Sequence, residues 1–178
     1  MDQALLGTEA MRTAIVAALP RLRRFCLTMA GNSADGDDLM QATVERALSR
    51  SAQFEAGTRV DSWMYRIAQN LHIDGARAVR RRGTLVDVDA LQSLSASDGR
   101  ELVENRSQLA AAQHALQTLP DDQRAVFALV VIEGQSYRDA AKALNLPIGT
   151  VMSRLARARG RIAEALGEKR NRQTEAGQ

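Results

Sequence analysis

Arginine is the residue type whose placement in this chain could do specific chemistry, and its most regular spacing lies between Ser136 and Ile162. In that segment, SYRDAAKALNLPIGTVMSRLARARGRI, two helical patterns are joined by a short turn that contains Pro147 and Gly149. On the second pattern, apolar residues recur on one side: Val151, Leu155, Ala158 and Ile162. That stripe predicts the buried face of an amphipathic helix.

The side opposite this stripe is polar and mostly basic. It carries Ser153, Arg154, Arg157 and Arg161, and Thr150 is the predicted N-cap of the helix. Arginine donates paired hydrogen bonds to guanine in the major groove and also binds phosphate. Two short helices, a tight turn and a basic second helix are typical of a helix-turn-helix that reads duplex DNA. A solvated arginine face on a packed helical hairpin is the alternative.

A second candidate surface lies on the helix predicted from about Asp61 to Arg82. Its core face is predicted to hold Met64, Ile67, Ala68 and Leu71. The other side carries Trp63, Arg66, Asn70, Ile73 and Arg77, and the basic track continues through Arg80, Arg81 and Arg82. An exposed ring stacks on bases, an amide hydrogen-bonds a base edge, and arginines follow phosphates, so this stripe suits single-stranded nucleic acid. Burial of Trp63 under the FEAGTR loop is an equal alternative.

A third polar stripe lies on the helix predicted from about Asp37 to Arg50. Its core face is predicted to contain Met40, Val44, Ala47 and Leu48. The opposite side carries Asp38, Gln41 and Glu45, and Leu39 beside them is predicted to point away from the core. Fixed carboxylates next to an apolar residue suit a protein partner with basic and apolar groups. From spacing alone, an ordinary solvated face is the favoured interpretation.

The remaining pattern predicts where these helices begin and end. Two further helices precede them, from about Thr8 to Ala18 and from Pro20 to Gly31, and residues 32–37 are predicted to form a turn. Residues 83–100 mix glycine, serine and aspartate without a period, which indicates a linker. Helical spacing resumes near Glu101, with Leu109, Ala112, Leu116 and Leu119 on one face up to Pro120.

The segment after Pro120, DDQRAVFALVVIEG, is apolar nearly all round and is predicted to be a buried helix that ends at Gly134. Ser136 and Asp139 resemble a capping box at the start of the next helix. The tail after Gly167 is polar and is predicted to fray.

Composition fits this all-α interpretation. The chain has 178 residues, of which 45% are hydrophobic and only 3% aromatic, and its net charge is +3. Its single cysteine, Cys26, excludes a disulfide within the chain and is predicted to be a small core residue. With two distant histidines and no phosphate-binding or nucleophile motif, the sequence predicts no enzyme, no catalytic residue, no metal site and no cofactor.

The cellular location follows from what the sequence lacks. The start, MDQALLGTEAM, does not resemble a secretory signal. The longest apolar run, AVFALVVI, is much shorter than the roughly 20 residues that cross a bilayer. A cytoplasmic location without membrane insertion is therefore expected.

Three segments together resemble the extracytoplasmic-function (group IV) sigma factors of bacteria. They are DGDDLMQATVERAL, SWMYRIAQNLHIDGARAVRRR and LPDDQRAVFALVVIEGQSYRDAAKALNLPIGTVMSRLARAR. They occur in the family's order and spacing, from roughly Pro20 to Leu166. The resemblance implies region 2 at residues 8–82, a flexible linker at 83–100, region 4 at 101–168 and a flexible tail at 169–178.

The resemblance also implies roles. Such a protein binds core RNA polymerase and directs it to promoters, and an anti-sigma factor usually controls it. The DDLMQ segment, with Glu45 nearby, would dock on the polymerase. Asn70 stands where the family lines a pocket for a flipped base of the −10 element, and Arg77 and residues 80–82 would hold nearby backbone. Ser153, Arg154 and Arg157, on the helix from Thr150, match positions that face the duplex −35 element.

Two departures from the family pattern leave the promoter sequence open. Met152 and Val130 stand where many relatives have basic residues. Two other functions are also weighed, a stand-alone helix-turn-helix regulator and a sigma-like decoy that sequesters an anti-sigma factor. The decoy is disfavoured because the chain keeps Asn70 and its promoter-facing arginines.

Overall fold

The computed structural model describes residues 2–55, 57–81 and 110–175, and every regular element in these ranges is helical. The long helices are α1 (Asp2–Ala30), α2 (Ser33–Ser49), α3 (Val60–Arg81) and α7 (Ile148–Glu175). The shorter ones are α4, described over residues 110–117, α5 (Asp121–Phe127) and α6 (Tyr137–Leu144). The all-α prediction is confirmed. The predicted linker, Arg82 and Leu109 lie outside the described residues.

Helix α1 runs without a break through Pro20, so the prediction of two separate helices is wrong. Proline removes one backbone donor and crowds the preceding turn, which usually ends a helix. Here residues on both sides of Pro20 are buried in one core: Ile15, Ala18, Leu22, Phe25 and Met29. Burial of this continuous stripe offsets the local cost of the proline.

Helix α2 begins at Ser33, four residues before the predicted start. The Asn32 side chain accepts a hydrogen bond from the Asp35 backbone N–H at 2.9 Å and therefore caps the helix. Gly36 faces α1 so closely that an added Cβ would lie 2.9 Å from the Cα of Leu27. The predicted turn at residues 32–37 is thus mostly helix, because the cap and the close contact with α1 favour it.

Helix α3 begins at Val60, so Asp61 lies in its first turn and is not the predicted N-cap. Arg59 donates two hydrogen bonds to the Asp61 carboxylate, at 2.6 and 3.1 Å, and the Ser62 N–H donates a third at 2.8 Å. Burial acts to raise the pKa of Asp61, but these hydrogen bonds outweigh it and lower the pKa. A charged carboxylate at this end also suits the helix dipole.

The buried residues of both halves of the chain form one connected cluster. Phe25 of α1 and Tyr65 of α3 are fully buried, and their ring centroids are 5.0 Å apart. Cys26 lies beside them with no exposed surface, as predicted, and burial raises the pKa of its thiol to about 12. Helices α1 and α3 also pack against α5 and α6, so the two halves share a core.

Arg124 of α5 links the two halves through a buried set of hydrogen bonds. Its guanidinium donates to the carbonyl oxygen of Met29, at the end of α1, at 2.6 Å. It also donates to carbonyls that follow or end α4, those of Leu116, Gln117 and Leu119. Burial lowers the pKa of Arg124, and Asp121 acts in the opposite direction. The side chain therefore satisfies helix-end carbonyls from both halves.

An ion pair lies beside this junction. Arg24 of α1 donates two hydrogen bonds to the Glu133 carboxylate, both at 2.8 Å. The Glu133 side chain is only 1% exposed, so Arg24 is the cation that compensates its burial.

The segment after Pro120 is helical but not buried all round. α5 continues into a π-helical turn, Ala128–Ile132, and the chain then turns away at Gly134, which has a φ of +65°. Val131 and Ile132 are 44% and 38% exposed, because the segment packs against neighbours only through its earlier residues. The Ser136 cap is confirmed, since its hydroxyl accepts the Asp139 N–H at 3.1 Å.

Helix α7 starts earlier and ends later than predicted. Residue 148 is its first residue, so Thr150 is the third helical residue and not the N-cap. The helix continues through Gly160 and Gly167 to residue 175, so the predicted frayed tail is helical over most of its length. No helix of the described ranges combines the length and apolar character that a bilayer crossing requires.

Candidate nucleic-acid interfaces

The first candidate interface is the outer face of α7. Val151, Leu155 and Ala158 are buried, as the stripe predicts, and they hold the helix against the second half of the molecule. Ser153, Arg157 and Arg161 are exposed on the other side, also as predicted. The buried stripe thus fixes which side chains a groove of duplex DNA would meet.

Two predicted members of this face differ from the expectation. The Arg154 Nε lies 3.0 Å from the Asp122 carboxylate of α5, and the side chain is only 24% exposed. Its guanidinium therefore ties α7 to α5 and is less available than that of Arg157. Thr150 lies inside α7 and is not its N-cap, and its backbone carbonyl accepts a hydrogen bond from Ser153 Oγ at 3.1 Å.

The second candidate interface is a groove between α2 and α3. Its volume is about 420 Å³. The lining residues come from both helices: Arg46, Arg50, Ile67, Asn70, Ile73, Asp74 and Arg77. Asn70 is exposed into it, so the residue predicted to line a base pocket does lie in a concave site.

The groove is electropositive. It contains three guanidinium groups, those of Arg46, Arg50 and Arg77, and one carboxylate, that of Asp74. Arg77 lies 3.9 Å from Asp74, but both side chains are more than 60% exposed, so this pair contributes little. Apolar floor residues, an amide and several cations are what an unstacked base and its phosphates require.

Arg46 and Arg50 line this groove but are not among the residues predicted from the sequence. Their spacing of four places them on one face of α2, which is a signal available from the sequence. That this face lies opposite Asn70 depends on how α2 packs against α3, which the spacing does not contain.

Two residues of the predicted α3 stripe, Trp63 and Arg66, contact other parts of the protein. Trp63 is partly buried, and its ring meets the edge of Phe54 at a centroid distance of 5.3 Å. Trp63 thus contacts Phe54 of the FEAGTR segment but keeps part of its surface exposed, so its role toward DNA stays a prediction. Arg66 donates hydrogen bonds to the Lys142 carbonyl at 2.8 Å and to the Ala143 carbonyl at 3.4 Å, at the end of α6. Arg81 is exposed.

The acidic stripe on α2 is exposed as predicted at Asp38, Gln41 and Glu45. The amide of Gln41 donates to the Glu45 carboxylate at 3.0 Å, which orders the stripe. Leu39 does not point away from the core but packs against it.

The buried face of α2 is centred elsewhere than predicted. It runs through Gly36, Thr43 and Ala47, whereas Leu48, predicted as a core residue, is 44% exposed. This rotation of the helix accounts for the position of Leu39.

Comparisons with known proteins agree with this arrangement. The family model of sigma-70 region 4 matches residues 109–167, and the model of the sigma2 domain of PhyR matches residues 15–69. The ECF RNA polymerase sigma factor EcfG of Rhodopseudomonas palustris is 35% identical over 159 residues, which are 89% of this chain and 86% of the relative. SigM of Mycobacterium tuberculosis is 35% identical over 83% of this chain and 72% of its own length.

Solved structures give the same class. The sigma factor RpoE of Bartonella quintana, solved in complex with the anti-sigma factor NepR, has a TM-score of 0.72 at 27% identity. The match covers 89% of this chain and 98% of RpoE. Helical halves of this kind, with a helix-turn-helix in the second, define a sigma factor of the sigma-70 class. The chain belongs to the extracytoplasmic-function (ECF) sigma factors.

Proposed function

We propose that this chain directs core RNA polymerase to promoters by holding two DNA elements at once. The outer face of α7 binds the duplex −35 element, and the groove between α2 and α3 binds the single-stranded −10 element. The observation that carries this proposal is the pairing of an exposed arginine face on α7 with an electropositive groove around Asn70 in one chain. A duplex-binding helix and a groove for an unstacked base have different shapes, and promoter opening requires both.

Asn70 is proposed to capture a base that leaves the duplex. Its amide can donate to and accept from a base edge, and Arg46, Arg50 and Arg77 lie around the same groove for the phosphates. Trapping an unstacked base shifts the equilibrium of a transiently open duplex toward the melted form. Melting of this kind needs no nucleotide hydrolysis, so the chain is proposed to act without a catalytic residue of its own.

Core RNA polymerase is proposed to dock on the exposed stripe of α2. Asp38, Gln41 and Glu45 present two carboxylates and an amide on one exposed side of α2, which suit a basic surface. Asp38 is exposed and lies apart from Arg124 and the buried core, so we expect a charge reversal there to leave the protein folded. We expect Asp38→Arg to abolish co-migration with core polymerase, with Glu9→Arg on α1 as the matched control. Normal co-migration of Asp38→Arg would remove this residue from the interface.

The division into region 2 (residues 8–82), linker (83–100), region 4 (101–168) and tail (169–178) is part of the proposal. The family models match inside the first and third ranges, which supports the boundaries. Since the two promoter elements are separated along DNA, the linker is proposed to let the two regions bind them together. Because the chain is proposed to act on RNA polymerase, we propose a cytoplasmic location for it.

An anti-sigma factor is proposed to control the chain. The support is the match to RpoE in complex with NepR, which covers most of both chains. The expected result is that a NepR-type protein co-purifies with this chain and blocks its binding to core polymerase. Independent binding of both partners at once would contradict control by competition.

The central test is run-off transcription with purified core polymerase on a pool of promoter fragments at a fixed salt concentration. Transcripts that depend on this chain support the proposal, and their start sites identify the promoter sequence. If the chain binds core polymerase but produces no transcript from a genomic pool, the DNA-binding part of the proposal is contradicted.

A decoy that binds an anti-sigma factor is the second candidate. It is favoured by the match of residues 15–69 to the sigma2 domain of PhyR. The anti-anti-sigma factor PhyR, solved with NepR, also shares the fold at a TM-score of 0.58 and 20% identity, although the match covers only 49% of PhyR. A decoy would bind the anti-sigma factor but not core polymerase. A stand-alone regulator would instead bind duplex DNA without polymerase.

A further inference from the structure

Met152 is a large apolar side chain on α7 that does not belong to the hydrophobic core. It is 53% exposed, whereas Val151 beside it is fully buried. Ile148, one turn earlier on α7, is also apolar and 49% exposed, and the exposed residues that follow Met152 up to Gly160 are polar, basic or small. A methionine with half of its surface in water contributes little to packing, so its flexible, polarizable thioether is free to contact a partner that approaches this face.

A stripe of small residues lies beside Met152 on the outer face of α7. Four exposed positions at helical spacing have small or absent side chains: Gly149, Ser153, Ala156 and Gly160. A Cβ added at Gly149 or Gly160 would meet nothing within 4 Å. Because a helix turns by about 100° per residue, Met152 and Arg157 flank this small stripe on opposite sides. Both are long side chains that can reach past a helix seated closely in a groove.

The chemistry of base edges selects the partner of a methionine. Thymine is the base that presents a methyl group in the major groove, whereas the other bases present hydrogen-bond donors and acceptors there. A thioether side chain has no donor and would cover such groups without replacing their bonds to water, which costs free energy. Contact with the thymine methyl buries apolar surface on both sides instead.

We propose that Met152 recognises the 5-methyl group of a thymine in the −35 element, next to the base that Arg157 contacts. The proposal rests on the proposed function, because it assumes that the outer face of α7 binds the −35 element. It assigns a specificity role to a position where many members of the family resembled carry a basic residue. The expected consequence is a preference for thymine over other bases at one position of the element.

The experiment begins with the full chain bound to core polymerase and a pool of fragments randomised over the −35 element. Each thymine of the selected element, on either strand, is then replaced singly by deoxyuridine, which removes only the methyl group. At one position we expect about fourfold weaker binding, the value of roughly one buried methyl or methylene group.

Variants then assign this methyl effect to a residue. Met152→Ala is expected to bind the thymine and uracil duplexes equally well, whereas Met152→Leu keeps a preference because it keeps an apolar side chain. Leu166→Ala is the matched control, since Leu166 is another exposed apolar residue of α7, 37% exposed, but lies beyond the small stripe. It should respond to the replacement like the unmodified chain.

Two outcomes overturn the proposal while leaving the proposed function standing. One is a selected element at which no thymine-to-uracil replacement weakens binding. The other is a methyl effect that persists unchanged in Met152→Ala. If the complex with core polymerase selects no −35 sequence at all, the proposed function fails first and this assignment fails with it.

Discussion

The two candidate DNA surfaces of this protein differ in how many elements build them. The outer face of α7 belongs to one helix, and its exposed arginines follow from the buried stripe on the same helix. The groove around Asn70 belongs to two helices, with Arg46 and Arg50 on α2 facing residues of α3. A surface on one helix follows from that helix's periodicity, whereas a groove follows from how two helices pack.

The surfaces also differ in how much of their basic character is free. On α7, Arg157 and Arg161 are exposed, and Arg154 is paired with Asp122. On α3, Arg66 donates a hydrogen bond to the Lys142 carbonyl near the end of α6 and is therefore less available to DNA. Basic residues close to the junction between the halves thus hold the fold together, and those further away remain available to DNA.

The largest expected effect tests whether the two halves are energetically separate. In Arg124→Met the helix-end carbonyls on both sides of the junction lose their buried donors, among them that of Met29. We expect the free energy of unfolding to fall by at least about 3 kcal/mol in a single transition. Denaturant unfolding followed by circular dichroism measures this loss.

The control for this variant is Arg12→Met, because Arg12 is an exposed arginine of α1 and its side chain is 64% exposed. Its replacement should change the free energy of unfolding by less than about 0.5 kcal/mol. Two separate transitions in Arg124→Met would mean that the halves unfold independently.

The next effect concerns the α7 surface. Arg157→Ala removes an exposed guanidinium from the centre of the proposed −35 interface. If that group pairs with a base, binding to a promoter should weaken by about 1–3 kcal/mol, which is roughly 5- to 150-fold. Competition binding by the holoenzyme on duplex −35 fragments measures it, with Arg12→Ala as the control. Unchanged affinity would exclude Arg157 from base contact.

The role of the groove between α2 and α3 is tested by measuring promoter opening, because −35 binding is not expected to depend on it. Asn70→Ala removes an exposed amide, so we expect promoter opening to fall roughly tenfold, the value of one or two hydrogen bonds. Assembly with core polymerase and −35 binding should be unaffected. Permanganate footprinting of the −10 region measures opening, and Gln113→Ala, an exposed amide of α4, is the control. Normal melting in Asn70→Ala would separate the groove from promoter opening.

The smallest expected effect, that of Gly160→Ala, tests how closely α7 approaches DNA. An added Cβ at Gly160 meets nothing within 4 Å, so Gly160→Ala should stabilise the helix by about 0.5–1 kcal/mol. If DNA lies against this part of the face, the same change should lower promoter affinity. Thermal unfolding and promoter binding measured together give the answer. Higher stability with unchanged affinity would place DNA away from Gly160.

The sequence by itself determined the helical class, the helix-turn-helix and the sides of α7. These follow from local properties: the spacing of Val151, Leu155 and Ala158, the Ser136 cap, and the proline and glycine of the turn. The family was likewise indicated by three motifs in order. Each of these signals lies within a few turns of chain, where periodicity and capping act.

Features that depend on contacts between helices were decided only by the tertiary structure. The continuity of α1 through Pro20 depends on burial against the rest of the core, and the rotation of α2 that buries Leu39 depends on its contacts with α1 and α3. The partner of Trp63 is Phe54, and that of Arg66 is the end of α6. Amphipathic spacing specifies which side of a helix is apolar but not what covers it, so packing determined which polar residues face solvent and which stabilise the fold.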